Sequence, residues 1–358
     1  MRVVFRVDAS NVIGSGHVMR CLRIANRLRK KNTQCSFICR NFEGNLIELI
    51  QDNGFQVFLI TQETNFSLKK GLDDLNQSFD WKSDASQTAA ILKLIQVDTL
   101  IVDHYGLDQK WENIQKDHSR KIMVIDDLDN RKHSADILLD QNLFADPQQR
   151  YSKHLNANCK KFIGLEYAFI DPDFITQRKI IKKDRAQIKK IFLYLGNTGS
   201  SNIVSRILNI FIDYGLDNFK IEVIFSGDTK EKNKILNLIS QYKFIKLLDQ
   251  QPNLAKLMSS CDLAIGAGGA TTWERIYLGL PSIVITVADN QRECSEHLNS
   301  LGLIWLIGHH NEVSDKQIVK SIKEVIFERN LEKNSYECLS MPIGTKSDLV
   351  IDQILQST

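Results

Sequence analysis

The sequence predicts an α/β protein built from two Rossmann-like halves, each a doubly wound parallel sheet. Three observations carry that expectation. First, short apolar runs alternate with segments whose apolar residues recur every three or four positions, through most of the 358 residues. That alternation specifies strand, crossover helix and strand with right-handed connections. Second, a charged stretch, RKIIKKDR at 178–185, interrupts the series, and a second series starts directly after it. Third, a glycine-bearing loop follows the first strand of each half, at 14–16 and again at 196–202. The length also suits two domains better than one.

The elements follow in order. Residues 3–7 (VVFRV) form the first strand, and a loop with Gly14, Ser15, Gly16 and His17 comes next. A helix begins at once, because Val18, Cys21, Leu22, Ala25 and Leu28 share one face. Arg20, Arg23, Arg27, Lys30 and Lys31 fall on the other face, where charges are ordinarily solvated and where a membrane-surface contact is the alternative. Strands are expected at 35–39, 55–60, 97–102, 121–125 and 137–139, with helices at 45–53, 84–96 and 107–116. Residues 61–82 are polar and irregular and read as surface loop. The stretch 166–187 reads as a linker, giving an N-terminal domain of 1–165 and a C-terminal domain of 188–358.

The second series predicts strands at 188–195, 220–225, 244–248, 263–265, 282–286 and 303–307. Helices fall between them at 203–214, 230–240, 254–259, 272–278 and 293–301. The end, 314–329 and 348–356, is helical, and its last helix is a candidate to pack back on the first domain. The two halves are expected to face each other across a cleft, with ligands at the carboxyl ends of the strands.

Composition excludes several classes. A net charge of +3 is too balanced to make nucleic acid or an anionic membrane the main partner. The seven cysteines have no CxxC or Cys/His ligand spacing and read as reduced cytosolic thiols. The opening MRVVFRVDAS is a strand without a secretory apolar core, and no apolar run approaches the length of a membrane span. A cytoplasmic protein and a monomer are the expectations.

The chemistry concentrates at the glycine turns. A helix N-terminus presents unpaired N–H groups and a positive dipole end, which attract phosphate or a developing anion. An imidazole at that turn can take a proton from water at neutral pH. His17 is therefore a candidate base, and a capping or core histidine is the bland alternative. In the second half, residues 266–272 (GAGGATT) join a strand to a helix that carries Glu274 near its start. Gly268, Thr271 and Thr272 suit a diphosphate, and Glu274 suits the two hydroxyls of a ribose. The alternative is a plain turn with Glu274 favouring the helix dipole.

Asp103, His104 and Tyr105 follow a strand, as do Asp126, Asp127 and Asp129. The spacing of Asp127 and Asp129 is that of some metal-binding carboxylates, but acidic residues more commonly cap helices and start turns, so no metal is assigned. His309 and His310, as strand neighbours, would point apart and read as solvated loop residues.

Four stretches taken together carry a family resemblance: VDASNVIGSGHVMRCLRIA, VDHYGLDQKWE, IDDLDNRKHSADILLDQN and GLEYAFIDPDF. They resemble the UDP-sugar hydrolases of pseudaminic acid biosynthesis, over a match reaching about residue 305. The resemblance implies a GT-B-like fold, similar to the transferase that makes lipid II, with UDP held by the C-terminal half and sugar by the N-terminal half. It implies hydrolysis at C1 of UDP-2,4-diacetamido-2,4,6-trideoxy-β-L-altropyranose, a UDP-linked diacetamido 6-deoxy sugar, with inversion and without a cofactor.

By the same resemblance His17 is the general base, and Asp8, Asn11, Gly14, Ser15, Gly16 and Tyr105 lie on the sugar side. Gly196, Gly199, Ser200, Gly268, Thr271, Thr272, Glu274, Asn290 and Gln291 lie on the nucleotide side. The chain departs from the family pattern in its phosphate loop, which reads Gly196-Asn197-Thr198-Gly199 where Gly-Gly-Ser-Asp is usual, and in a loose ending around Met341-Pro342-Ile343-Gly344. The rival readings are a glycosyltransferase of the same fold, in which an acceptor hydroxyl replaces water, and a nucleotide-sugar binding module that releases nothing.

Overall fold

The computed structural model describes residues 1–61, 79–181, 185, 187–196, 201–225, 227, 229–249, 251 and 253–356. It divides into two compact units, Met1–Phe169 with Gly344–Thr358, and Ile170–Ile343.

Unit 1 holds seven parallel strands: β1 (Arg2–Val7), β2 (Gln34–Arg40), β3 (Gln56–Ile60), β4 (Val97–Asp103), β5 (Ser119–Ile125), β6 (Ile137–Asp140) and β7 (Lys160–Ile163). Their order in the sheet is β3-β2-β1-β4-β5-β6-β7. The central strands are near-continuous apolar runs because both faces are covered. On one face the helix Gly16–Arg29 packs Val18, Cys21, Leu22, Ala25 and Leu28 against Val3, Phe5 and Val7, the face the periodicity assigned to it. The helix Trp81–Ile95 covers the other face through Ala85 and Leu92.

Unit 2 repeats the plan with β8 (Lys190–Tyr194), β9 (Lys220–Ile224), β10 (Ile245–Leu248), β11 (Leu263–Gly266), β12 (Ser282–Thr286) and β13 (Trp305–His309). Their order is β10-β9-β8-β11-β12-β13, again all parallel. Its core joins Ile191, Leu193, Phe211, Val223, Ile265 and Ile283.

The structure refines the expected boundaries. The stretch read as a linker contains the helix Pro172–Ile180, capped by Asp171 and buried in unit 2 through Phe174, so the division falls at 169/170. The last helix, Ser347–Leu355, the candidate to pack back on the first domain, belongs to unit 1, where Val350, Ile351 and Ile354 join the core and Asp348 meets Arg27 at 2.6 Å. Strand β7 and the helix Leu331–Ser340 went unread, β7 because KKFI is a half-exposed edge strand without an apolar run. The expected loop at 61–82 lies mostly outside the described residues, and its end already begins the helix Trp81–Ile95.

Candidate active site

In unit 1 the chain reverses its direction of travel through the sheet between β1 and β4, which pair with Val7 opposite Asp103. Open α/β sheets bind ligands at such a switch point, outside the carboxyl ends of the strands. The loop leaving β1 is shaped by Ser10, whose Oγ accepts the N–H groups of Val12 and Ile13 at 3.1 and 2.9 Å. The Ser10 carbonyl accepts from Gly14 at 2.8 Å, and Gly14 takes φ of +82°, a conformation that favours glycine. The helix then starts at Gly16, with no side-chain cap from Ser15 and no acid in its first turn.

His17 sits in that first turn and is 7% exposed. Its Nδ1 lies 2.5 Å from Oδ1 of Asp103, the last residue of β4. The edge of the Tyr105 ring meets the imidazole, with centroids 4.5 Å apart and planes at 81°. Arg20, one turn along the same helix, forks onto Asp103, with Nε to Oδ2 at 2.5 Å and Nη2 to Oδ1 at 2.6 Å. Its Nη1 reaches Asp127 Oδ2 at 3.1 Å, and the Tyr105 hydroxyl donates to Asp127 Oδ1 at 2.6 Å. Burial pushes the Asp103 carboxyl up, but Arg20 and His17 outweigh it and hold Asp103 well below the usual carboxylate range. An ionised Asp103 accepts a hydrogen bond from Nδ1–H of His17, so Nε2 carries the lone pair available for chemistry.

Asp8, expected on the sugar side, is fully buried under the loop. Its carboxylate accepts from Arg6 at 2.7 Å and from the Arg40 N–H at 2.7 Å, and lies 3.3 Å from Nε2 of His104. Those contacts tie the end of β1 to β2 and to the residue after β4. Asn11 is exposed, and its N–H donates to the Glu43 carbonyl at 3.0 Å. Burial and Asp127 push the Tyr105 hydroxyl far up, so it remains a neutral donor. The carboxylates of Asp127 and Asp129 turn to different partners: Asp129 accepts from the Tyr151 N–H and pairs with His154, each at 2.9 Å. Among the described residues no group of three His, Cys, Asp or Glu side chains converges as a metal site.

The sequence reading placed Arg20 with the solvated charges, yet its side chain is only 16% exposed and turns inward. The signal was its i,i+3 spacing from His17, which puts both on one strip of the helix. Of the rest of the basic face, Arg23 reaches the Phe169 carbonyl and Arg27 reaches Asp348, while Lys30 and Lys31 are exposed.

In unit 2 the corresponding switch point lies between β8 and β11, where Tyr194 pairs with Gly266. The two glycine loops therefore leave neighbouring strand ends. Gly196 takes φ of +84°, with open space where a Cβ would stand, whereas Gly199 and Ser200 lie outside the described residues. In the second loop the Gly268 N–H donates to Oε1 of Gln291 at 3.2 Å, and the Val287 N–H donates to the same oxygen at 3.0 Å. Gln291 thus clamps the ends of β11 and β12 together, and Asn290 sits beside it in the short helix Asp289–Gln291. A Cβ on Gly268 would meet Ser295 Oγ at 2.4 Å, so close packing demands glycine there.

Thr271 and Thr272 open the helix Thr271–Tyr277. The Thr272 hydroxyl donates to the Ala267 carbonyl at 3.1 Å, and Arg275 donates to both threonine hydroxyls. Burial pushes the Arg275 guanidinium down to about 10 against the opposing pull of Glu274. Glu274, in the same first turn, is 4% exposed.

The histidine pair departs from the expectation of solvated, divergent residues. His309 ends β13, is buried, and lies 3.0 Å from the Thr286 hydroxyl, while its ring meets that of His310 edge-on at 4.7 Å. A bulge in the β12–β13 pairing shifts the register beyond Val284 and breaks the simple alternation.

Two parallel doubly wound sheets, each with its loops at a switch point, define a protein of the GT-B type. Comparisons with known proteins agree. Residues 190–347 match the glycosyltransferase family 28 C-terminal domain. An uncharacterized protein of Methanocaldococcus jannaschii, MJ1062, is 26% identical over 371 residues, covering 99% of this chain and 70% of that protein. The UDP-2,4-diacetamido-2,4,6-trideoxy-beta-L-altropyranose hydrolase of Campylobacter jejuni is 27% identical over 304 residues, 84% of this chain and 97% of that enzyme. Among solved structures, MurG of Acinetobacter baumannii superposes with a TM-score of 0.61 at 14% identity, over 99% of both chains. The resemblance read from the four sequence stretches and the GT-B-like fold are both supported by these likenesses.

Proposed function

We propose that this chain hydrolyses a UDP-linked sugar at its anomeric carbon, and that the substrate is UDP-2,4-diacetamido-2,4,6-trideoxy-β-L-altropyranose. The observation that carries the reading is the His17–Asp103 pair at the switch point of unit 1, 2.5 Å between Nδ1 and Oδ1. A carboxylate that fixes the tautomer from one side leaves the other ring nitrogen as a base, the logic of an acid-oriented histidine in hydrolases. Water gives its proton to Nε2 of His17 as its oxygen bonds to C1. The C1–O bond to the diphosphate breaks on the opposite face, and the configuration inverts. UDP leaves as an anion, so the burden on unit 2 is electrostatic: N–H groups at the start of the helix Thr271–Tyr277 hold the departing charge.

Glu274 takes the ribose hydroxyls in this reading. Replacing it with alanine is expected to raise KM for the UDP-sugar about 10- to 100-fold, the range for losing hydrogen bonds to a charged group, with little change in kcat. An unmoved KM would make Glu274 a packing residue instead.

The family 28 match over 190–347 favours a second reading, a glycosyltransferase with the same donor. Incubation with the UDP-sugar and no acceptor separates them. Multiple-turnover UDP release with stoichiometric free sugar is the hydrolase result, whereas turnover only after adding an acceptor hydroxyl is the transferase result.

A further inference from the structure

We infer that Arg20 is a positioning residue which keeps the His17 base free to accept a proton at neutral pH, by neutralising the buried carboxylate that orients it. This rests on the assignment of His17 as base. Asp103 is fully buried, and its two oxygens are shared among three residues: Oδ1 receives His17 Nδ1 and Arg20 Nη2, and Oδ2 receives Arg20 Nε and, at 3.6 Å, the Cys21 thiol. A buried carboxylate that faced the imidazole alone would hold a proton on it strongly, because an opposite charge within about 4–6 Å stabilises the cation. A base already protonated at rest accepts nothing. The Arg20 guanidinium, with Nη2 only 3.2 Å from His17 Nδ1, cancels that pull while its two-pronged grip keeps the Asp103 acceptor aimed.

Arg20 is itself held in place from another element. Asp127, in the loop after β5, takes Nη1, and the Tyr105 hydroxyl takes the other oxygen of the same carboxylate. The charged and titratable groups around the imidazole are thus Asp103 from β4, Arg20 and Cys21 from its own helix, Tyr105 from the loop after β4, and Asp127 through Arg20. Cys39 of β2 faces the Cys21 thiol, which burial keeps protonated. Beyond Asp127, Arg150 donates to its carbonyl and lies 3.3 Å from Asp140, whose carboxyl burial pushes up to about 7.

The sign of the effect follows from the charges. Removing the Arg20 cation leaves Asp103 to stabilise the protonated imidazole, so the acidic limb of the kcat profile moves to higher pH. Arg20→Gln should shift that limb upward by about one pH unit or more, the size of a removed neighbouring charge, and should regain activity as pH rises toward 9. Arg20→Lys keeps the charge but loses the fork, and should leave the limb near its native position with a reduced plateau.

The test measures kcat against pH from 5.5 to 9.5 for the native protein, R20Q, R20K and H17Q, with thermal melts to compare folding. Loss of the native limb in H17Q shows that the limb belongs to His17, and its persistence there overturns the base assignment itself. With that limb established, an upward shift in R20Q and none in R20K supports the inference. A uniform fall in kcat at every pH with the limb in place, or a downward shift, overturns the role of Arg20 while leaving His17 as the base.

Discussion

His17→Leu is expected to lower kcat by about two to four powers of ten at neutral pH, the range for a lost general base, while KM for the UDP-sugar changes little. Leucine fills the space of the ring against Tyr105 but removes both nitrogens. The nucleotide-side residues belong to the other unit and should bind as before. The substitution also removes one partner of Asp103, but Arg20 still supplies two hydrogen bonds to that carboxylate, so the buried charge stays paired. Steady-state kinetics with a circular dichroism spectrum of the variant decides the matter. A native rate from a folded H17L protein would end the assignment.

The second large effect is expected from Asp103→Asn, at about two to four powers of ten in kcat. The amide keeps the shape of the carboxylate but not its role. Asp103 offers two oxygens to Arg20 and His17, and an amide offers one, so it cannot accept from Arg20 Nε, Arg20 Nη2 and His17 Nδ1 together; with its oxygen kept by Arg20 Nε, the amide nitrogen stands against the imidazole and donates to Nδ1. The ring then carries its proton on Nε2, the wrong tautomer for a base. The variant also leaves Arg20 with one buried anionic partner fewer, a loss that costs up to about 3–5 kcal/mol when a buried pair is broken. The thermal midpoint is therefore measured beside the rate. A folded D103N protein that retains within threefold of the native kcat would show that Asp103 orients nothing.

Much of this organisation was legible in the sequence because it is local. Periodicity located most strands and helices, since each element declares its buried face within a few residues. The glycine turns were legible for the same reason: Gly14 and Gly196 both take positive φ in the loops after the first strands. His17 could be singled out because it lies in the turn itself. What surrounds it could not. Asp103 and Asp127 stand 86 and 107 residues from their partners His17 and Arg20, and only the winding of the sheet brings them together. Helical spacing put Arg20 on a polar face, but it carries no information about a carboxylate on a neighbouring strand. His309 was misread for a similar reason, because a bulge and the Thr286 hydroxyl decide its environment. Asp8 shows the converse limit. A motif marks it, and its carboxylate is taken by Arg6, the Arg40 N–H and His104.

The most direct measurement follows the UDP-sugar by NMR and mass spectrometry in ¹⁸O-enriched water, with no acceptor present. Attack by activated water at C1 puts one ¹⁸O on the anomeric carbon of the released sugar and none in UDP, and the first sugar to appear has the inverted configuration. Label in the phosphate of UDP, or release that waits for an added hydroxyl acceptor, would contradict a water-activating His17 at the anomeric carbon.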